Sequence, residues 1–588
     1  MRLWPALLCC LLLGMPVLAA EGTPTPVPLE SAVRARLARE PRDTSKALFL
    51  FYETRGFQPA WFSYDGAVRP QAGEYLAALC EAETEGLWPE RYRRAELEAA
   101  LHRLTLDGEP GEAWVEVELG LTSSFLSYAS HLLSGQVSSR GPGWSTKPPG
   151  AVVLAAVLEG ALASGDLAVT LRGLSPSHEG FVRLREALAR YRAIAAAGGW
   201  PLVPEGKPLE RGMREPRVAV LRERLRSTGD LPPAAEERLL YPGAPGVGVA
   251  VLVGELVRAA MEEPAPESPK KPVPEDLYDA ELEEGVKAFQ RRHGLAADGK
   301  VGRETLKALR VPVEERIAQL LVNLERWRWA PRELGTRHVL VNLPAFELEA
   351  VEQGQPVLRM PVIIGQQEWS TPVLQDEVEY LVLHPTWYVP SKITAEEVLP
   401  KLREDPGAAA RMGLTTYDRA TGQPVDPGTV DWSGVAAESL PYRFAQDPGA
   451  DNPLGRVKFM FPNRFSIYLH DTPNPKLFTE AQRAFSHGCI RVSEPAKLAD
   501  FLLRGHEGWT EESLAAAMQE TGGKQRRVEL PAPVPVYLLY WTSFVGADGR
   551  VQFRPDVYRQ DAAVRRALAV KPVPAAGESP AACGGARG

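Results

Sequence analysis

Residues 467–503 read IYLHDTPNPKLFTEAQRAFSHGCIRVSEPAKLADFLL. Alternating apolar and polar positions make a strand that ends at His470; a Pro-rich polar loop follows, then SHGC at 486–489 and a helical run. His470 precedes Cys489 by nineteen positions (489 − 470), and His487 precedes it by two. A cysteine nucleophile acts as the thiolate, and a free thiol of pKa about 8.5 is only a few per cent ionised at neutral pH. A neighbouring imidazole can take the proton and orient the sulfur. Gly488 permits tight backbone at the sulfur, so loop N–H groups can face a developing oxyanion. Arg491 adds a fixed positive charge suited to a carboxylate or to holding the loop. A lone Cys and His in a long chain are more often a buried thiol and a hydrogen-bonded imidazole, so the weight rests on the surrounding pattern. Zinc would need four ligands at metal spacing. His470, His487 and Cys489, even with Asp471, lack a second cysteine or paired motif, and no metal is expected.

The strand period extends upstream to residue 336. RHVLVNLPAFELEAVEQGQPVLRMPVIIG alternates, with Gly354 at a hairpin turn, and VEYLVLHPTWYVP and VKFMFP continue the pattern. Between them, 391–450 reads as helix and loop, a capping segment inserted between two strands. Downstream, RVSEPAKLADFLLR and WTEESLAAAMQ are helical, and VPVYLLYWTSFVGADGRVQFR reads as a final hairpin turning at Asp548-Gly549. Residues 571–588 are Ala/Gly/Pro-rich and read as a disordered tail.

The first third is helical instead, with runs at 29–37, 74–87, 93–104, 113–133, 150–162 and 180–197. Phe49, Phe51, Tyr52, Trp61 and Phe62 read as core. A further amphipathic run covers 218–225, and a Pro-rich polar insertion covers 232–275. In YDAELEEGVKAFQRRHGLAADGKVGRETLKAL, Val286, Phe289 and Gln290 lie on a helix ending at Gly294. Asp298-Gly299 forms a tight turn, and Thr305, Leu306 and Leu309 open another helix. A connecting helix spans 316–329.

The whole chain has 588 residues, 44% hydrophobic and 24% charged, enough for several cores. Lys+Arg 67 against Asp+Glu 75 gives −8, which disfavours a nucleic-acid binder relying on an overall positive field. Gly 51 and Pro 53 exceed ordinary use without a repeating period, which excludes collagen and long coiled coils. Residues 1–20, MRLWPALLCCLLLGMPVLAA, read as a secretory signal, or alternatively as an uncleaved inner-membrane anchor. If Cys9 and Cys10 leave with it, Cys80, Cys489 and Cys583 remain, and three thiols cannot all pair within one chain. An exported free cysteine needs a reason.

The pattern His470-Asp-Thr-Pro with Ser486-His487-Gly488-Cys489-Ile490-Arg491 resembles the signature of the YkuD-type L,D-transpeptidase catalytic domain. FQRRHGL and DGKVGRETL, with Asp298, Gly299, Val301, Gly302, Thr305 and Leu306, resemble the small three-helix peptidoglycan-binding domain, and 218–231 resembles its first helix. The order of these parts is similar to that of the large periplasmic L,D-transpeptidases of Gram-negative bacteria. The resemblance implies an α+β multidomain chain. A signal peptide (1–20) precedes a helical scaffold (21–205) and a peptidoglycan-binding-like module (206–312). A connecting helix (313–335) leads to a mainly β, sandwich-like catalytic domain (336–570) with its cap at 391–450.

What the resemblance implies chemically is a two-step acyl transfer. Cys489 would attack the carbonyl between the L-centre of diaminopimelate and the terminal D-alanine of a tetrapeptide stem. D-Alanine would leave, and an amine on a second stem would resolve the thioester into a 3→3 cross-link. His470 would be general base; His487, Gly488 and Cys489 would shape the oxyanion site. Ser486 and Arg491 would support the loop or touch a substrate carboxylate. Tyr468 and Trp387 would line the donor cleft or serve as packing. No cofactor is needed. The expected partners are peptidoglycan and, as inhibitors, carbapenem-type β-lactams; the expected place is the periplasm. The same residues also suit an L,D-carboxypeptidase or endopeptidase, an enzyme attaching a lipoprotein to the wall, or a wall binder on the same fold. Nothing in the sequence fixes an oligomeric state.

Overall fold

The computed structural model describes residues 29–39, 46–107, 111–137, 148–232, 274–520 and 522–568. The signal 1–20, nearly all of the insertion 232–275, the tail 571–588, and with them Cys9, Cys10 and Cys583, lie outside the described residues. The chain divides into two compact units. One takes its described residues from Met1–Leu79, Pro89–Ala129 and Gly150–Thr170; the other is formed by Cys80–Trp88, Ser130–Pro149 and Leu171–Gly588.

The first unit is helical. Within the long helix Glu112–Ser134, Glu118 is fully buried. It accepts hydrogen bonds from the Tyr52 hydroxyl at 2.7 Å and the amides of Ala60 and Trp61 at 2.5 and 3.0 Å. Burial still raises its pKa, with those donors opposing. Trp61 Nε1 donates to Thr122 one helical turn on. Phe51, Tyr52, Trp61 and Phe62 are core, as their clustering suggests, while Phe49 is half-buried. The run at 74–87 is shorter than its periodicity implies: the helix is Pro70–Cys80, and a single 3₁₀ turn, Glu81–Glu83, follows.

In the second unit, helices Pro216–Arg226, Ala280–Arg292 and Arg303–Leu309 enclose a core of Leu221, Leu225, Tyr278, Val286, Phe289 and Leu309. Gln290 fastens the Asp298-Gly299 turn. Its amide nitrogen reaches Asp298 Oδ1 and the Lys300 carbonyl, and its oxygen accepts from Gly299 N at 2.9 Å. Gly299 has φ +73°, which explains a glycine there. The connecting helix begins at Val313 rather than Arg316 and packs on helix Glu179–Ala196. His293, at the end of helix Ala280–Arg292, stacks on Phe289 (3.8 Å between centroids) and on Phe553 of the C-terminal hairpin (5.6 Å).

Among the described residues fifteen strands follow: β1 (Arg337–Asn342), β2 (Glu347–Glu352), β3 (Gln355–Gly365), β4 (Leu374–Leu383), β5 (Trp387–Tyr388), β6 (Thr415–Asp418), β7 (Pro424–Val425), β8 (Tyr442–Gln446), β9 (Val457–Met460), β10 (Leu469–His470), β11 (Ala484–Ser486), β12 (Ile490–Val492), β13 (Arg526–Leu539), β14 (Ser543–Val545) and β15 (Val551–Phe553). The main sheet runs β11-β3-β12-β10-β9-β4-β13-β1-β2, and β2 pairs back onto β3. Residues 355–361 of β3 pair with β2, and 362–365 pair with β12 and β11. One strand thus joins the two ends of the sheet around a core that includes Leu348, Ile364, Leu381, Phe459, Leu469, Ile490 and Val536. Gln353 and Gly354, both with positive φ, turn the β2–β3 hairpin.

Two regions differ from their sequence reading. The capping segment is not only helix and loop: β5, β8, β6 and β7 form a sheet of their own, around Trp432 and Phe444. β5 and β7, of two residues each among turn residues, are too short to register a period of two. The C-terminal hairpin is not one continuous strand either. β13 stays in the main sheet, and the chain turns out at Trp541 and Thr542, whose amides donate to Asn342 Oδ1 and Asn323 Oδ1. The smaller β14–β15 hairpin follows.

Candidate active site

β10 and β12 run parallel, with Leu469 opposite Ile490 and His470 opposite Arg491. Leu469 and Ile490 are core residues. Strand alternation therefore puts Tyr468, His470, Cys489 and Arg491 together on the other face, with Cys489 diagonal to His470. On the far side, β9 sets Lys458 opposite His470. The imidazole is thus flanked by two cations.

His470 is 4% exposed, and its Nδ1 lies 2.6 Å from the Asp471 carbonyl. A carbonyl only accepts, so Nδ1 carries the proton and Nε2 presents a lone pair. Burial first, then Arg491, with Lys458 adding, lowers its pKa to about 3, against the Asp471 hydrogen bond. Cys489 is a half-buried free thiol. Burial pushes it above its ordinary value, opposed by Tyr468 and by the charges of Arg491 and Lys458. Tyr468 is raised by burial and by the adjacent sulfur. Both shifts favour the neutral forms, thiol and imidazole.

The loop carrying the sulfur is fixed from behind. Ser486 Oγ donates to the Cys489 carbonyl at 2.5 Å and accepts from Gly488 N at 3.2 Å. Gly488 has φ +110°. Its carbonyl accepts from Thr371 Oγ1 at 2.8 Å, and that oxygen accepts from Gly365 N at 2.9 Å. The Tyr558 hydroxyl donates to the Gly365 carbonyl at 2.6 Å and accepts from Thr371 N at 3.2 Å. A Cβ on Gly365 would lie 2.0 Å from the Trp369 carbonyl and 2.9 Å from Gly488 Cα, so only glycine fits. From the front, His487 Nε2 meets Glu397 Oε1 of the cap at 2.5 Å and sets its ring edge-on to Trp369 at 4.8 Å. Lys392 Nζ stands 3.7 Å from the centroid of the same indole.

Cys489, Gly488, His487 and Tyr468 line a cleft of about 900 Å³, with Tyr388, Lys392, Arg419 and Arg443 of the cap on its other side. His470, Ser486 and Arg491 stand behind this surface. Trp387 does not line the cleft: it packs against the cap's own core, and its strand neighbour Tyr388, 54% exposed, faces the cleft instead. Alternation along β5 accounts for the exchange. Thr371, Gly365, Tyr558 and Glu397 escaped the sequence reading because each lies far along the chain from the motif, and Lys458 because a lone lysine on a neighbouring strand carries no local signal. Among the described residues, no group of three or more His, Cys, Asp or Glu could hold a metal ion, and no helix is long and apolar enough to cross a membrane.

Residues 336–511, which hold this sheet and loop, match the YkuD family, described as "L,D-transpeptidase catalytic domain". Residues 268–309 match a "Putative peptidoglycan binding domain" and 46–188 a "Scaffold domain". The chain is 33% identical over 272 residues to a curated "Putative L,D-transpeptidase" of Haemophilus influenzae, covering 45% of this chain and 54% of that one. The match thus spans about half the relative's length. Two solved structures are also similar. An L,D-transpeptidase from Mycobacterium smegmatis is 11% identical (34% of this chain, 58% of that one), and one from Xylanimonas cellulosilytica is 15% identical (57% and 98%). Both have TM-scores of 0.16, too low to bear on the fold.

Proposed function

We propose that the protein is a peptidoglycan L,D-transpeptidase forming 3→3 cross-links through a Cys489 thioester. The observation that carries this is a free thiol on the wall of a capped cleft, one strand from an imidazole whose Nε2 is an open acceptor. Cys489 attacks the carbonyl at the L-centre of diaminopimelate while its proton passes to His470 Nε2. The tetrahedral intermediate collapses, and the imidazolium returns the proton to the departing D-alanine amine. The amine of a second stem then attacks the thioester, gives its proton to His470, and displaces the sulfur. Arg491 and Lys458 favour the thiolate and disfavour a standing imidazolium, so the proton resides on the histidine only while the reaction needs it there. Gly488 N is already bonded to Ser486 Oγ, so the loop donors for the oxyanion are the amides of His487 and Cys489.

A thioester hydrolyses readily, so the cap, held against the loop at Glu397 and His487, serves to limit water. The peptidoglycan-binding module holds the glycan strand, the leader at 1–20 exports the chain to the periplasm, and carbapenem-type β-lactams acylate Cys489. Incubation of the purified protein with disaccharide tetrapeptide tests the reading. Cross-linked dimer and free D-alanine are expected, both lost in Cys489→Ala. Tripeptide without dimer assigns hydrolysis instead, and activity retained without the sulfur removes Cys489 as nucleophile.

A further inference from the structure

We propose that Arg419 and Arg443 of the cap form a carboxylate subsite that makes the enzyme select stem peptides bearing a free side carboxylate over those bearing a carboxamide. This rests on the function proposed above and names a substrate feature of the same cleft. The chain is acidic overall, at −8, yet four cations, Lys392, Arg419, Arg443 and Lys458, line the cleft, against one carboxylate, Glu368. Lys392 is engaged by Glu396 at 3.9 Å and by Trp369. Among the described residues, no carboxylate pairs with Arg419 or Arg443. The nearest chain candidate, Asp418, is turned back onto Thr421, whose amide and hydroxyl bond Asp418 Oδ1 at 2.7 and 3.0 Å.

Both guanidiniums are held in place without being neutralised. Arg443 lies beside the rings of Tyr388 and Tyr417, 5.8 and 5.2 Å from their centroids, and among the described residues its guanidinium has no hydrogen-bond or ion-pair partner. Arg419 uses Nε on the Tyr442 carbonyl at 2.9 Å, which leaves its terminal nitrogens free. β6 and β8 pair Tyr417 with Arg443 and Asp418 with Tyr442, so the short cap sheet sets both cations on one edge of the cleft. Like charges lining one concavity repel each other, and a planar, bidentate anion between them removes that cost. A carboxylate matches the fork; a carboxamide has one acceptor fewer and no charge. Lys458 is the cleft cation whose charge acts on Cys489, so it belongs to the sulfur's side of the cleft. The cap arginines lie across the cleft from it and suit a carboxylate farther up the stem, the α-carboxylate of its D-glutamate.

The test compares two disaccharide tetrapeptide donors, free acid and α-amide at glutamate, with the full-length protein, Arg443→Gln, Arg443→Lys and Arg419→Gln. Native protein is expected to favour the free acid in kcat/KM by about tenfold, the scale of one charge-assisted hydrogen bond in a partly wet site. The glutamine variants lose most of that preference, the free-acid donor slowing several-fold more than the amide donor, and Arg443→Lys keeps part of it. Equal use of both donors by native protein, or equal losses on both donors in the variants, overturns the subsite. If neither donor reacts with native protein, the transpeptidase reading fails separately. Calorimetric binding of the two donors to Cys489→Ala then decides the carboxylate question, equal affinities counting against it.

Discussion

Replacing Thr371 by valine tests whether the Cys489 loop is held by a single buried hydroxyl. Thr371 is 0% exposed, and its oxygen accepts from Gly365 N and donates to the Gly488 carbonyl at 2.9 and 2.8 Å. Valine fills nearly the same volume but leaves two buried backbone groups without partners. At about 1–3 kcal/mol each the loss is ~2–6 kcal/mol. For a body of this size, 1 kcal/mol moves Tm by roughly 2–4 °C, so a fall on the order of 4–24 °C is expected by calorimetry. The freed carbonyl belongs to the residue before Cys489. A displacement near 1 Å at the sulfur costs on the order of 10²-fold in rate, read as kcat/KM for D-alanine release. Thr371→Ser keeps the hydroxyl and should recover most of that rate. A valine variant working within twofold of native, or a serine variant as slow as valine, would refute the reasoning.

The acid sensitivity of the fold should trace in part to His470. Its folded pKa is about 3, below the ~6.5 of an unfolded histidine, so the unfolded chain binds the extra proton between those values. Stability from this group is complete above pH ~6.5 and is lost at ~1.4 kcal/mol per pH unit as pH falls toward 3. Urea melts of His470→Gln between pH 4 and 6 should show a shallower slope, and identical slopes would contradict the assignment. Because burial raises the Cys489 thiol, its alkylation by iodoacetamide should climb about tenfold per pH unit to pH 9. A plateau below pH 8 would reveal a standing thiolate instead. Glu397→Gln weakens a partly exposed contact worth at most ~1 kcal/mol, so the ratio of hydrolysed to cross-linked product should rise about threefold. An unchanged ratio would show that the contact does not hold the cap.

The sheet was legible in the sequence wherever strands exceed five residues. β2 alternates over Glu347–Ala350 and turns into β3 at Gly354, so their hairpin can be read directly. The cap's β5 and β7, of two residues each, carry no period, and their pairing arises only once Trp432 and Phe444 gather them. The nucleophile loop was legible because its residues sit within six positions, 486–491. What fixes that loop was not: Gly365, Thr371 and Tyr558 meet it only through the closing of β3 onto β11 and β12, and a lone threonine or tyrosine carries no local signal. Trp387 was attractive as a bulky aromatic near the cleft, but its facing depends on one step of strand parity.

His293 lies between Phe289 and Phe553, and five positions beyond Phe553 the Tyr558 hydroxyl grips Gly365 behind the sulfur. The small helical module is therefore not a bead on a string. Its C-terminal helix end is docked, and Arg554 also donates to the Arg292 carbonyl at 2.8 Å. Exchanging the module for a foreign one, in evolution or at the bench, means importing an aromatic counterface for Phe553 as well. A chimera joined only at its linkers would uncover the face of that ring that His293 stacks on, so the two parts are inherited best as one piece.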